Sequence, residues 1–109
     1  MLSYNDFSQL DIRIGTILSA ERVPETDKLI KLSVDIGEEA PRTIVAGIAA
    51  FVPDTATLIG KQIPLLANLE PRMLKGIESN GMILAASDED GGFSLLMPHT
   101  PVKNGAKVK

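Results

Sequence analysis

The sequence predicts an all-β domain, a small five-stranded Greek-key barrel carrying short helices. Three observations point there. Short apolar stretches are separated by turn-forming residues, and one of them alternates with a period of two. A single helical pattern interrupts them, after the third stretch. The interior must also be aliphatic, since 44 % of the residues are hydrophobic but there is no Trp, one Tyr and three Phe.

The elements follow in order. "DFSQL" (6–10) forms one helical turn, with Ser3 or Asn5 as its cap and with Phe7 and Leu10 on one face. "IRIGTILSAERV" is a long strand whose Gly15 marks a bulge or sharp coil, as when one strand serves both halves of a barrel. "PETDK" is a turn. "LIKLSVDIG" alternates, with Ile30, Leu32, Val34 and Ile36 facing one way and Lys31, Ser33 and Asp35 the other. "RTIVAGI" is a third strand, too apolar to alternate. "FVPDTATLIG" gives a short helix started by Pro53 and Asp54 and stopped by Gly60. "KQIPLLA" is the fourth strand, with Pro64 suggesting an edge or bulge. "MILAA" and "FSLLM" flank "SDEDGG" as a hairpin. Five strands with a helix between the third and fourth match the OB-fold.

A chain of 109 residues makes one domain, 1–109, able to bury its own core. The absence of cysteine excludes disulfides, thiolate-bound zinc and a thiol nucleophile, and fits a reducing cytoplasm. The longest apolar run, 44–52, is about half of the roughly 18 residues that a membrane helix needs. "MLSYNDF" lacks the pattern of a signal peptide. A soluble, cytoplasmic protein with no membrane partner is expected. The net charge of −3 is local in origin, because without Asp88, Glu89 and Asp90 the acids number 11, equal to the bases. A basic face is compatible with that total.

Catalytic chemistry finds no residues to perform it. His99 stands alone between prolines in "PHTP", and no phosphate-binding or dinucleotide glycine pattern occurs. The acidic "DEDG" departs from a calcium loop, since His99 falls where the twelfth-position glutamate belongs. No enzyme, metal or cofactor is expected.

Several spaced motifs, "DIRIG", "DKL", the "NLEP" of Asn68 to Pro71 and the "GIESNGM" of Gly76 to Met82, stand in one order along nearly the whole chain. In these the sequence resembles the tRNA-binding domain family. That domain occurs in methionyl-tRNA synthetases, in phenylalanyl-tRNA synthetase beta chains, in endothelial monocyte-activating polypeptide II and as a free-standing dimeric protein. The resemblance implies an OB-fold with a C-terminal extension, and pairing of two copies. It also implies shape-based binding of tRNA at the outer elbow without aminoacylation. An aminoacyl-tRNA synthetase is a further partner on this reading. Two positions depart from it, Glu70 and Met73, where bases are expected. The chaperone CsaA, which shares the fold, is similar at its start and in "NGAKVK", so binding of unfolded peptides is the alternative.

The stretch "NLEPRMLKGIESNGM" is the candidate site. Arg72 and Lys75 supply charge for phosphates, Asn68 and Ser79 supply hydrogen bonds, and Met82 can pack on a sugar or base. The same residues also permit a structural role, with Leu74 and Met82 capping the barrel while Asn68 and Ser79 fix the loop. Lys28, Lys31 and Arg42 extend the basic face, and Arg13 joins them unless Asp11 or Glu21 pairs with it. Stacking aromatics are lacking, which disfavours base-by-base binding of single strands and suits a folded RNA. A homodimer interface is expected from Leu2, Tyr4 and Phe7 together with Leu95, Leu96 and Met97. Neither set has a place in a five-strand core, unless each covers the other within one chain.

Overall fold

The computed structural model describes all 109 residues. Helix α1 spans Tyr4–Ser8, not the 6–10 expected. Ser3 accepts from the Asp6 amide while the Asp6 carboxylate accepts from the Ser3 amide, and this reciprocal cap sets the start.

Strand β1, Ile12–Arg22, runs through the whole barrel. Its first half pairs with β4 (Gln62–Leu66) and its second half with β2 (Ile30–Asp35). The bulge lies at Leu18, between the Ile17 and Ser19 pairings, and not at Gly15. Gly15 has another reason to be glycine: a Cβ there would stand 2.7–2.8 Å from Ile36, Val34 and the Asp35 carbonyl. Strand β2 alternates as expected, and β3 (Arg42–Ala46) pairs along it. The expected helix is two 3₁₀ turns, Ala49–Phe51 and Thr55–Leu58, the second capped by Asp54.

Pro64 opposes Ile14 in the β1–β4 pair. Ile14 directs its amide to Ala106 and its carbonyl to Gly105, so no ladder bond is lost at the proline. Those contacts belong to the C-terminal segment, which also reaches Ile12 through the Val108 amide. The extension thus covers the edge of β1 that β2 leaves open.

"NLEPRMLKGIESNGM" is no irregular loop. It contains a hairpin, β5 (Arg72–Leu74) and β6 (Ile77–Ser79). "MILAA" divides: β7 (Met82–Ile83) joins β4, whereas β8 (Ala85–Ser87) pairs with β9 (Phe93–Leu95). The main sheet is ordered β3-β2-β1-β4-β7 and every pairing in it is antiparallel. It closes where β6 and the residue after it meet β3, making a nearly closed barrel of the OB type. Ile17, Ile30, Leu32, Val34, Ile36, Ile44, Ile63 and Leu65 fill it almost without exposure. Each contributes about 1.5–3 kcal/mol of burial, and the core is aliphatic as the composition requires.

Candidate functional site

The β5–β6 hairpin lies over the outer side of β3. Arg72 pairs with Ser79, Met73 with Glu78 and Leu74 with Ile77, so alternate pairs face the barrel and the solvent. On the barrel side, Leu74, Ser79, Gly81 and Met82 enclose a small cleft over Val45 with Leu69, Glu70 and Arg72 at its mouth. Ile77 meets Val23, Pro24 and Lys31 in a second cleft, which brings the hairpin beside the β1–β2 turn. Met73 and Glu78 are exposed on the opposite side. Apolar residues therefore close the barrel while part of the polar set faces outward.

Not every expected contact is free to serve a ligand. Ser79 is 5 % exposed; its hydroxyl accepts from the Val45 amide at 2.9 Å and reaches the Gly81 carbonyl at 3.3 Å. Because a hydroxyl buried and engaged at both ends has nothing to offer a phosphate, Ser79 is a structural residue. It takes the place of a ladder carbonyl at the seam between β3 and β6. Ser79→Ala is expected to lower stability by about 1–3 kcal/mol, since the Val45 amide then loses its partner. Urea unfolding checks this, and an unchanged midpoint would contradict it.

Asn68 is engaged in a similar way. Its side-chain carbonyl accepts from the Asp11 amide at 2.9 Å and its amide donates to the Gln9 carbonyl at 2.7 Å, fastening the N-terminal segment to the end of β4. Arg42 makes a two-pronged pair with Glu38, 2.8 and 2.9 Å, and donates to the carbonyls of Ala67 and Asn80. Its guanidinium ties β3 to the exit of the hairpin and is not available as a phosphate clamp. Arg13 pairs with Asp11 at 2.9 Å, and Lys107 approaches the same oxygen at 3.3 Å.

The hydrogen bond from Arg13 draws the Asp11 carboxyl below its ordinary range, and that from Arg42 does the same for Glu38. These contributions are present at neutral pH and are lost as pH falls through the lowered values. Lys31 stands 3.8 Å from Glu21, an exposed and weak pair. Lys28, Arg72 and Lys75 are exposed and form no ion pair, and Met82 is exposed at the cleft that Arg72 also lines. No three His, Cys, Asp or Glu side chains gather as a metal site.

No aromatic ring lines either cleft at the hairpin. Phe51 and Phe93 stack on each other, centroids 4.2 Å apart, and Tyr4 and Phe7 belong to α1. Of the residues expected at a dimer interface, Leu95 packs partly on the chain's own core. Leu2, Tyr4, Phe7, Leu96 and Met97 remain 85, 77, 37, 42 and 57 % exposed, so the two sets do not cover each other.

Residues 12–107 match the family model described as "Putative tRNA binding domain". A methionine–tRNA ligase of Porphyromonas gingivalis is 50 % identical over 109 residues, 99 % of this chain but 16 % of that protein. The chain thus spans about one-sixth of the length of the curated relatives it matches. Among solved structures, a MetRS-related protein from Pyrococcus horikoshii superposes with a TM-score of 0.92 at 38 % identity, covering 100 % of this chain and 98 % of that one. The chaperone CsaA of Bacillus anthracis gives 0.87 at 34 % identity, covering 100 % and 99 %.

Proposed function

Since this chain belongs to the tRNA binding domain family, we propose that it binds folded tRNA at the outer elbow, by shape and without catalysis, through the β5–β6 hairpin and the neighbouring β1–β2 turn. The observation that carries the reading is that the hairpin and the β1–β2 turn carry three cations without ion pairs, Lys28, Arg72 and Lys75, beside clefts that no aromatic ring lines. Such a face offers charge and backbone to a phosphate array and nothing to stack unpaired bases upon. Met82 packs on a sugar at the edge of the cleft, and Lys31 flanks the site. The protein works in the cytoplasm, appended to a methionyl-tRNA synthetase or acting beside one, in keeping with its similarity to a small part of those ligases.

Two copies pair through the exposed apolar residues of α1 and of the segment after β9. That pairing presents two modest sites to one rigid tRNA.

Fluorescence anisotropy with tRNA and with an unstructured RNA of equal length tests the reading. Tighter binding of tRNA is expected, and equal affinities would defeat recognition by shape. The three unpaired cations of the proposed site predict that log K falls with log salt at a slope of roughly −2 to −3 per site, whereas a flat dependence would remove these residues from the interface.

A second reading has a specific observation behind it. Leu69 and Met82 at the cleft are 42 and 45 % exposed, Met73 on the opposite side of the hairpin is 66 % exposed, and the CsaA chaperone shares the fold closely. Methionine-rich surfaces adapt to varied apolar segments. Suppression of client aggregation by a protein that binds no tRNA at low salt would establish this reading over the first.

A further inference from the structure

We propose that Asn80–Gly81, where the hairpin returns to β7, is a site of spontaneous deamidation, and that the fold shields Asn104–Gly105 from the same reaction. Of the asparagines, Asn5, Asn68, Asn80 and Asn104, only the last two precede glycine. Glycine has no side chain to keep its amide nitrogen from the carboxamide before it. By sequence the two sites are equal, and both asparagines are half-buried. They differ in what holds them. Asn104 is engaged at both reacting ends. Its carboxamide oxygen accepts from the Thr16 hydroxyl at 2.7 Å and from the Gln62 side-chain amide at 3.2 Å, and its nitrogen donates to Asp35 at 3.3 Å. The Gly105 amide donates to the Ile14 carbonyl at 2.7 Å.

Asn80 has the opposite arrangement. Its carboxamide and the Gly81 amide make no hydrogen bond, and its partners are all on the backbone: its own amide donates to Thr43 at 2.9 Å, and its carbonyl accepts from Arg42 at 3.2 Å. That carbonyl shares a peptide bond with the Gly81 nitrogen. The Arg42 guanidinium therefore stabilises the anion left when the Gly81 amide loses its proton. In the reaction, hydroxide takes this proton and the nitrogen bonds to the Asn80 Cγ. The bond from Cγ to the carboxamide nitrogen breaks, and ammonia leaves with a proton from water, which restores the hydroxide. The cyclic succinimide then takes up one water. Opening at Cγ gives aspartate. Opening at the main-chain carbon gives isoaspartate, which leaves a carboxylate beside Arg42 and leads the chain to Gly81 through one more carbon. Either product brings a negative charge to the base of the hairpin.

The test ages the full chain in mildly alkaline buffer, folded and in guanidinium chloride, and then digests it with trypsin beside unaged protein. Residues 76–103 form one peptide, in which Asn80 is the sole side-chain amide, and residues 104–107 form another that carries Asn104. Mass spectrometry reads the gain in each as NH2 becomes OH. In the denatured chain both peptides should gain mass at comparable rates. In the folded protein 76–103 should keep its denatured rate, whereas 104–107 should slow by about tenfold or more, because its hydrogen bonds must first open. Asn80→Gln keeps the backbone partners but must close a larger ring, so its 76–103 peptide should stay unchanged over the same time. Equal rates for the two peptides in the folded protein would overturn the proposal, as would a mass gain in 76–103 that persists in Asn80→Gln. The outcome does not depend on whether the protein binds tRNA.

Discussion

Leu96→Asp is expected to convert a particle of twice the 11.7 kDa chain mass into a monomer and to weaken tRNA binding a hundredfold or more. The argument begins with what the fold leaves uncovered. Leu95 turns to the core, but Leu96 lies beyond the end of β9 and points outward, held by its backbone amide to the Leu84 carbonyl. Burial is therefore not available to Leu96 or Met97 from their own chain. A carboxylate at position 96 is solvated in a monomer and would be stranded in an apolar interface, so the substitution acts on association and spares the barrel. Affinity follows because a second, linked contact on the same RNA is lost together with the second copy. Light scattering at micromolar concentration reads the mass, and anisotropy reads the affinity. A parent that is already monomeric, or a variant that stays dimeric, would remove these residues from the interface.

The double variant Arg72→Ala with Lys75→Ala is expected to weaken all tRNAs alike by about 10- to 100-fold, and to flatten the salt slope by about 2. Both side chains are exposed and unpaired, so unfolding free energy should stay within about 0.5 kcal/mol of the parent. Arg42 gives the contrast. Removing it would abandon the Glu38 carboxylate and two backbone carbonyls, and any fall in RNA affinity would be confounded by a damaged fold. The cleanest variants are those whose charge the protein itself does not use. If the double variant binds as the parent does, the contact surface is elsewhere on the barrel.

The long strands were legible because their burial is periodic. Ile30 to Ile36 announces β2, and Gly15 announces a crowded strand, although its crowding is a close approach and the bulge is at Leu18. The β5–β6 hairpin was not legible as strands. Each arm is three residues long, too short for a period, and its turn carries Lys where an asparagine would have signalled a hairpin. "MILAA" hid its division because apolar residues run continuously from one pairing into the next. In the site, the kinds of residue could be read but their commitments could not. Ser79 and Asn68 are held by partners 34 and 57 or 59 positions away, and Arg42 by carbonyls 25 and 38 positions away as well as by Glu38 four positions before it; no local pattern records the distant ones. The exposed cations were legible because nothing else competes for them.

The seam between β3 and β6 also makes the barrel unevenly strong. The β1–β2, β1–β4 and β2–β3 pairs share ladders of five or six register positions, but here Val45 bonds to a serine hydroxyl and Thr43 to the Asn80 amide. A boundary with so few bonds opens at lower free energy than the ladders around it, without global unfolding. The hairpin can therefore breathe as a flap hinged at Gly81 while the remaining strands stay paired. An RNA held by Arg72 and Lys75 would hold that flap shut, so occupancy of the outer surface and slow exchange of the Val45 amide rise and fall together.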